Sequence, residues 1–524
     1  MVQTGSSNGV AERPPADGVP VASGGDGVPN PFPAGTLEAD TFRYVWAQLG
    51  YDAARPSPFR QAYHRAVGSA DYELAGERED VVIFSRSMRQ LSSTYKAFTR
   101  KIAVRTVGSE GLWPEPAANN DSCARACALF RAWGLDLRSD ARRRRSLPSQ
   151  LRQIVEETVI GGDVLVNRIR PDGRPCVQLI ESERIATPES RSVVTENMRN
   201  GVEVDSLGGA VAYHVTPYTS TGSSLAYGEH VKVDARHAVL FTIDEERVGQ
   251  TRGMPLLTQG LTRIADKDEV HEAITVAMKI TAVFVLLLKT GAPKQADKFL
   301  SDSINRSAGS GGEAGANVRN VVGMKPGQIL SAGPNDDVKP IKGENPPAGF
   351  DVWNRVIDSV IASCAGIPVE VATGDFRGMN FSQSRMSNMF AEETVAVFRE
   401  ELVTRVLRPM FRWLATRWVI DGVIPPDPSQ PDGIPVPASW TRPPEVEYDR
   451  LTAIKASKEA VDNNLSTRTR ETRRMGLDYD EIIAERGREA SEEKARGIVP
   501  PSTPGAKVPG ADAQAGGEGE TPPG

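Results

Sequence analysis

Five histidines, four cysteines and a few acidic pairs are the side chains of this chain that could bind a metal or transfer protons. His271-Glu272 begins a zinc-peptidase pattern, but no second histidine follows one helical turn later. Asp336-Asp337 and Asp244-Glu245-Glu246 offer carboxylates for a divalent cation, although acidic pairs in loops are more often only solvated. The scattered histidines are expected to be solvated or structural. These patterns predict neither a metal site nor a cofactor.

Motifs for phosphate binding and nucleophilic catalysis are no stronger. No Gly-x-x-x-x-Gly-Lys-Ser/Thr phosphate loop occurs, which argues against a nucleotide-hydrolysing enzyme. Cys123 and Cys127 lie four residues apart on a predicted helix and form no Cys-x-x-Cys pair, so we expect small buried hydrophobes there. The low cysteine usage indicates a reducing compartment. We therefore predict no catalytic residue and no enzymatic activity.

One concentrated basic cluster stands out, formed by Arg142, Arg143, Arg144 and Arg145. A run of four arginines can contact phosphate, and a solvated patch or a salt bridge between subunits is the alternative. Acidic residues outnumber basic residues by 68 to 62, which gives a net charge of −6. Because the whole chain is not a polycation, it cannot hold nucleic acid globally by counterion release. Any contact with DNA is expected to be local.

A segment rich in polar and glycine residues, 365–385, lies between two apolar helical patterns. Pro368 lacks an N–H and disfavours helical backbone at the residue before it, so we expect it to end the first helix. Gly374, Gly378 and Asn380 tolerate positive φ, which favours irregular backbone. Ordering such a loop between long helices is costly, and this cost indicates that the loop has a function.

The elements that must position this loop follow from hydrophobic periodicity. Spacings of three and four residues predict helices at 85–105, 123–133, 151–160, 255–281, 350–368 and 384–420. Pro409 removes a hydrogen bond inside the last of them, which predicts a kink or break near Arg405. Alternating residues predict strands in a small, largely antiparallel sheet or barrel at 164–169, 176–180, 202–204, 211–215 and 238–243. The predicted class is α+β.

The remaining segments are less regular. Residues 1–36 and 498–524 are rich in Gly and Pro without periodicity, and we expect both tails to be disordered. The apolar run 282–288 is far shorter than the roughly 20 residues of a membrane helix, so it is predicted to be a buried strand or helix end, with no membrane partner. In the last helical unit, Ser466 or Thr467 is expected to cap a helix that Gly476 ends, and Asp478 with Glu481 to cap the next.

Several motifs occur in the order typical of one family, and the chain resembles the lambda-type portal proteins of tailed bacteriophages over roughly residues 40–495. The 365–385 segment resembles the family's run of Ile-Pro, then Thr-Gly-Asp, then Asn-Phe/Tyr-Ser, then Arg. The other motifs that carry the resemblance are 86–111, Gly-Gly-Asp-Val at 161–164, Gln-Leu-Ile-Glu at 178–181, 201–203, 212–214, Val-Gly-Gln-Thr-Arg-Gly-Met-Pro at 248–255, 440–444 and 464–485. Asn464 stands where the family usually has glycine.

The resemblance implies a portal fold with a mixed α/β wing, a helical stem, a small α/β clip and a helical crown. The implied parts are a wing at 37–254, stem helix 1 at 255–290, the clip at 291–349, stem helix 2 at 350–368, a tunnel loop at 369–384, a kinked wing helix at 385–423, a Pro-rich linker at 424–444 and the crown at 445–497. It also implies assembly as a ring, with twelve subunits, at one capsid vertex.

The implied function is a conduit for double-stranded DNA, through which a terminase packages the genome and DNA later exits to the tail. Capsid and head-completion proteins would be partners, with assembly in the bacterial cytoplasm. The residues expected nearest DNA are Arg377, Asn380, Phe381 and Arg385. Alternatively, Phe381 anchors the loop by packing and Arg385 pairs with a carboxylate of a neighbouring subunit. The competing functions are another ring-forming head-to-tail adaptor or baseplate protein and, less favoured, a packaging ATPase or nuclease.

Overall fold

The computed structural model describes most of residues 68–497. The described ranges are 68–117, 120–188, 194, 197–219, 225, 229–243, 245–283, 287–289, 330–332, 349–444, 450–477 and 479–497. The two predicted tails, nearly all of the predicted clip, Asp244, the Asp336-Asp337 pair and the predicted cap residue Asp478 lie outside these residues.

Helices account for most of the regular structure in this part of the chain. They are α1 (Ala70–Leu91), α2 (Ser93–Val107), α3 (Asp121–Leu135), α4 (Leu147–Gly161), α5 (Leu261–Val283), α6 (Phe350–Cys364), α7 (Val369–Thr373), α8 (Phe381–Leu402), α9 (Arg408–Ile420), α10 (Arg450–Asp462), α11 (Arg468–Arg474) and α12 (Tyr479–Ala495). None of these described helices has the length and apolar character needed to cross a membrane.

Short strands form four small sheets. The strands are β1 (Pro114–Glu115), β2 (Val164–Ile169), β3 (Cys176–Glu181), β4 (Met198–Arg199), β5 (Val202–Val204), β6 (Ala210–Val215), β7 (Val231–Asp234), β8 (Ala238–Phe241), β9 (Leu287–Lys289), β10 (Leu330–Ala332) and β11 (Ser439–Trp440). The order β3-β2-β8 makes one antiparallel sheet, and β4 to β7 make another in chain order. The five predicted strands and their antiparallel arrangement are confirmed, and β9 pairs with β10 in parallel.

The helix predicted at 85–105 is two helices, because Ser92 interrupts it. Its backbone N–H makes the last helical hydrogen bond of α1, to the carbonyl of Met88, and its extended backbone then ends that helix, while its side chain accepts from the N–H of Tyr95 and begins α2. A serine in extended backbone satisfies N–H groups that the first turn of a helix leaves open. Periodicity continues across the cap, which is why the pattern alone predicted one rod.

The main core joins the helices from α1 to α9 to the β3-β2-β8 sheet. Phe130 of α3 lies at its centre, with ring centroids 5.4 Å from Phe411 of α9 and 5.8 Å from Trp440 of β11. Tyr95 and Leu151 are fully buried in the same cluster. The predicted Pro-rich linker 424–444 is thus anchored by β11, which pairs with β1, and is not only a spacer. A smaller core lies between the two antiparallel sheets.

The predicted break near Arg405 is confirmed. Residues 403–407 form a π-helical turn between α8 and α9, in which the N–H of Arg408 donates five residues back to the carbonyl of Val403. Pro409 follows at the start of α9 and cannot supply the regular hydrogen bond to the turn before it. The guanidinium of Arg405 donates to the carbonyls of Leu240 and Thr242 at 3.1 and 3.3 Å, which ties the turn to β8.

Both predicted stem helices are shorter than expected. The first begins at Leu261 and not at Pro255, because the N–H of Thr258 donates to the carbonyl of Pro255 in a turn before the helix. The second ends at Cys364 and not at Pro368. Gly366 adopts a φ of 64°, and the N–H of Ile367 reaches back to the carbonyl of Ala362 at 3.2 Å. This is a glycine-based Schellman ending, so glycine stops the helix before proline does.

The predicted tunnel loop and wing helix also need correction. Val369–Thr373 of the expected 369–384 loop is the short helix α7, and the long helix begins at Phe381 and not near residue 384. The irregular backbone between them is limited to residues 374–380. α9 ends at Ile420, which is the predicted end of the helix at 384–420, so only the last three residues of the implied part 385–423 are not helical. The long helix starts before the predicted position because Asn380 caps it.

The three C-terminal helices α10, α11 and α12 contain no buried residue among those described. Thr467 caps α11 by accepting the N–H of Arg470, and Gly476 follows the helix with a φ of 78°, so both of these predictions are confirmed. Arg473 pairs with Glu115 of β1 at 3.1 Å. A unit with so little burial of its own gains little stability from hydrophobic packing within one chain.

Candidate functional site

The candidate site is the seven-residue loop 374–380 between α7 and α8. Gly374 ends α7 with a φ of 81°, and Gly378 adopts a φ of 79°, so glycine is required where the chain turns. The N–H of Met379 donates to the carbonyl of Phe376 at 3.2 Å. Every residue of the loop is exposed except Met379, which is half-buried. The loop is therefore a defined turn that presents its side chains to solvent.

The charge of the loop is neutralised within the loop itself. Arg377 donates from Nε and Nη2 to the two oxygens of Asp375 at 2.8 and 2.6 Å, and its backbone N–H donates to the same carboxylate at 3.1 Å. These hydrogen bonds lower the pKa of Asp375 to about 2. The Arg377 side chain is nevertheless 87% exposed. It is an exposed cation that already has a partner.

The other three candidates have different roles in the structure. Asn380 caps α8: its side chain accepts the N–H of Gln383 at 2.8 Å, and its own N–H donates to the side chain of Gln383 at 3.1 Å. Such a capping box fixes the start of the helix. Phe381 is 59% exposed at the first helical position. The guanidinium of Arg385 makes no hydrogen bond or ion pair within the described residues, so Phe381 and Arg385 are the candidates presented to a partner.

Residues on α2 hold the loop in place, and sequence reasoning missed them. Lys101 Nζ donates to the carbonyl of Ala372 at 3.1 Å, at the end of α7. Four residues on, Arg105 donates to Asn388 of α8 at 2.6 Å. At the far side, Thr394 of α8 donates to the carbonyl of Gly366 at 2.8 Å. The only available signal was the polar face of a predicted helix, which does not indicate its partner.

The two predicted stem helices pack as a pair through polar contacts. Lys267 of α5 binds Asp358 of α6 at 2.6 Å, with both side chains largely buried. His271 and Asn354 are hydrogen-bonded at 2.8 Å, so His271 has a structural role, as expected from the sequence. These contacts leave another face of α6 open.

That open face is apolar. Val352, Val356 and Val360 lie four residues apart on α6 and are 68%, 56% and 44% exposed. Residues at this spacing share one face of a helix. On α8, a second group of large apolar side chains is more than half exposed: Met386, Met389, Phe390 and Val397. The described part of the chain covers neither group.

The acidic candidates and the cysteines do not assemble into a reactive centre in the described part of the chain. Glu245 pairs with Arg405 at 3.3 Å, and Glu246 accepts from Gln259 at 2.8 Å. No group of three or more metal-binding side chains is brought together among the residues that the structure describes. Cys123 and Cys127 are both buried in the main core, which confirms the prediction of small buried hydrophobes.

Two of the sequence motifs meet in a buried ion cluster of Arg78, Asp163, Ser182 and Arg252. Arg252 donates to both oxygens of Asp163 at 2.7 and 3.0 Å, and Arg78 donates to the same carboxylate at 3.1 Å. Arg252 and Asp163 are 1% and 0% exposed. The remaining guanidinium donors of Arg252 reach the carbonyls of Ile185, Asn200 and Ser182. The cluster therefore joins α1, the end of α4, both sheets and the segment that leads to α5.

Burial opposes ionisation of Asp163, but the attraction of Arg252 and Arg78, with hydrogen bonds from Arg252 and Ser182, outweighs it and lowers the pKa of this carboxyl. Burial and the neighbouring Arg252 lower the pKa of Arg78 to about 10. Beside the cluster, the backbones of Gly162 and Gly253 approach so closely that a Cβ on Gly162 would lie 2.3 Å from the Gly253 carbonyl oxygen. Both glycines belong to the motifs quoted above.

Comparison with known proteins identifies the same family that the sequence motifs resemble. The family described as "Phage portal protein, lambda family" matches residues 58–399, which is more than half of the chain. A match of this extent defines the class as a structural protein of phage particles. The chain belongs to the lambda family of phage portal proteins, and its function is that of a portal. The adaptor, baseplate and packaging-ATPase alternatives are thereby set aside.

Individual relatives are distant but cover most of the chain. Portal protein B of Escherichia phage lambda is 23% identical over 435 residues, which are 78% of this chain and 76% of the relative. The portal protein of Escherichia phage N15 is 22% identical over 387 residues, covering 69% and 72%. Among solved structures, a chain in the virion of a native gene transfer agent particle has a TM-score of 0.36 at 13% identity, covering 83% of this chain and 99% of that chain. A chain in the neck of the native particle, computed with C12 symmetry, has a TM-score of 0.37 at 14% identity, covering 76% and 93%.

Proposed function

We propose that copies of this chain close into a ring around an axial channel, and that the 374–380 loop of each copy faces double-stranded DNA moving through that channel. The observation that carries the proposal is the loop itself. It is exposed, its backbone is fixed by a glycine ending at one side and a capping box at the other, and α2 supports it. A loop built in this way presents a surface and contains no reactive group.

The charge of the loop suits a sliding contact. Each phosphate that a fixed cation neutralises adds to the affinity for DNA, and DNA that must move in both directions should meet few such cations. Arg377 is already paired with Asp375, and the chain as a whole carries a charge of −6. Contacts of this kind position a duplex without reading its sequence. We infer that DNA passes without sequence specificity.

The apolar faces support assembly into a ring. A ring forms when one surface of a subunit binds a different surface of the next and the rotation closes. The valine face of α6 and the Met and Phe side chains of α8 are apolar surfaces that a neighbouring copy would cover. Twelve subunits is the number that the family resemblance implies.

The corrected boundaries define the proposed parts. The stem helices are α5 and α6, the tunnel loop is 374–380, the kinked wing helix is α8 with α9, and α10 to α12 form the crown. The clip, between α5 and α6, would meet the terminase during packaging and the head-completion and tail proteins afterwards. The ring would occupy one capsid vertex after assembly in the bacterial cytoplasm. ATP hydrolysis would belong to the terminase, and this chain would have no enzymatic activity.

Phe381 and Arg385, at the start of α8 directly after the loop, are the proposed DNA-facing side chains, and Arg377, paired with Asp375, lies within the loop itself. Two alternatives remain specific enough to test. Phe381 instead anchors the loop by packing against a neighbour, and Arg385 instead pairs with a carboxylate of the next subunit. In either case, substitution of the residue would reduce ring assembly and not DNA packaging by assembled rings.

Deletion of residues 375–379 is expected to leave rings intact and to impair packaging or retention of DNA. The deletion keeps Asn380, so α8 retains its cap. The measurement is nuclease-protected DNA per particle, with ring formation followed by native mass spectrometry.

The control keeps the full length of the loop and replaces both Asp375 and Arg377 by serine, which removes the ion pair. We expect this control to package DNA nearly as well as the unchanged protein. Normal packaging by the deletion variant would rule out the proposed role of the loop.

A further inference from the structure

The arginine cluster lies on a rigid loop between the turn Leu137–Ser139 and α4. Asp140, which is 8% exposed, fixes this loop: its two carboxylate oxygens accept the backbone N–H groups of Arg142 and Arg144 at 3.1 and 3.0 Å. Its carbonyl accepts the N–H of Arg143 at 2.9 Å, and Arg143 adopts a φ of 55°. The backbone of the cluster is therefore held by one buried carboxylate.

The same carboxylate does not neutralise the arginines. At Asp234 and Asp375, the arginine two residues later folds back and binds the carboxylate with its guanidinium. At Asp140 the side chain of Arg142 does not do so, and both carboxylate oxygens accept backbone N–H groups, whereas Asp234 and Asp375 each accept one such group. All four arginines are exposed, and none of their guanidinium groups makes a hydrogen bond or ion pair within the described ranges. Four positive charges are thus presented side by side in an acidic chain.

We propose that Arg142, Arg143, Arg144 and Arg145 bind the phosphodiester backbone of double-stranded DNA at a surface separate from the 374–380 loop. Guanidinium groups bind phosphate oxygens in bidentate, charge-assisted hydrogen bonds. The duplex carries one negative charge per roughly 1.7 Å of its axis, so several guanidinium groups on one short loop find partners together. The contact holds DNA in place, in contrast to a sliding contact.

An acidic protein surface is the competing partner. Interfaces between proteins have a desolvated, largely apolar centre, and residues 138–146 expose no large apolar side chain. Leu135 and Leu137, which are exposed just before the cluster, would instead serve an interface between copies of this chain. We favour DNA because its interfaces with proteins are wet and highly charged. Guanidinium groups that make no ion pair within the protein can bind phosphate there and remain hydrated.

The test is binding of full-length protein to covalently closed circular double-stranded DNA, measured over a range of salt concentrations. The variant carries R142Q, R143Q, R144Q and R145Q. The matched control removes four charges from exposed positions in α12 and directly after it by R486Q, R488Q, K494Q and R496Q. A third protein carries lysine at the four cluster positions and keeps their charge.

We expect the cluster variant to bind at least tenfold more weakly than the control at about 100 mM salt. Neutralising four phosphates should contribute roughly −3.6 to the slope of log K against log salt, and this contribution should disappear in the variant. The lysine protein should retain most of the slope. Closed circular DNA cannot thread a closed ring, and an unassembled chain still carries the cluster. Failure of the conduit proposal would therefore leave this result unchanged.

Two results would overturn the inference. One is equal affinity and equal salt slope for the cluster variant and the control. The other is unchanged DNA binding with a shift of the cluster variant to smaller assemblies in native mass spectrometry, which would assign the arginines to an interface between copies of the chain.

Discussion

Replacing Asp163 by asparagine is expected to lower the free energy of unfolding by about 3–5 kcal/mol, because the change leaves two guanidinium groups buried without their carboxylate. Asparagine has nearly the same shape, so the effect is electrostatic and not a cavity. Arg252 and Arg78 would lose the negative charge that both now share. The measurement is denaturant unfolding of the unassembled chain followed by tryptophan fluorescence.

The control for this experiment is Asp234→Asn, which breaks a surface ion pair with Arg236. Exposed pairs contribute little, so its unfolding curve should be close to that of the unchanged protein. An equally small change for Asp163→Asn would contradict the account of the cluster.

The acid dependence gives an independent check of the same cluster. The pKa of Asp163 is lower in the folded than in the unfolded state, so its stabilisation is present above the unfolded pKa, near 3.9, and is lost as the pH falls through the folded value. The unfolding free energy of the unchanged protein should therefore fall on acidification below about pH 4. The Asp163→Asn variant should lack the part of this fall in unfolding free energy that comes from Asp163.

Replacing Val356 by glutamate is expected to prevent ring assembly. Val356 is the middle residue of the exposed valine face of α6. The proposed ring buries this face at every subunit boundary, and an unpaired charge buried there costs several kcal/mol each time. The assembled fraction should fall more than tenfold in native mass spectrometry or analytical ultracentrifugation.

The monomer should tolerate the same change. Val356 is exposed in the single chain, so the free energy of unfolding of the variant monomer should stay within about 0.5 kcal/mol of that of the unchanged protein. The matched control is Val248→Glu, at a fully exposed valine outside α6. Rings that form normally with glutamate at position 356 would show that the valine face is not an interface.

Local features of the fold were largely predictable from the sequence. Pro409 lacks an N–H, so a disruption one turn earlier follows from its chemistry, and the π-helical turn at Arg405 confirms it. Alternating residues located the antiparallel strands. Several helix ends were misplaced, among them those at which a serine cap at Ser92 and a Schellman ending at Gly366 act before the more conspicuous signals. Competition between neighbouring capping residues determines where a helix ends, and hydrophobic periodicity contains no information about that competition.

Contacts between distant segments were not predictable. Arg252 and Asp163 are 89 residues apart in the chain, and both belong to motifs that the sequence comparison had singled out without indicating that they pair. Lys101 supports a loop more than 270 residues later. Among the four candidates near the loop, Asn380 caps a helix and Arg377 is paired with Asp375. Sequence alone could not distinguish these two residues from Phe381 and Arg385. Tertiary packing assigns these partners, and one sequence carries no direct record of it.

Electron cryomicroscopy of the purified, assembled full-length chain tests the central claim most directly. The account predicts closed rings with an open axial channel, in which residues 374–380 of every subunit form the narrowest collar and the valine face of α6 is covered by the adjacent subunit. Monomers under all assembly conditions, or closed rings with the 374–380 loop on the outer surface, would contradict it.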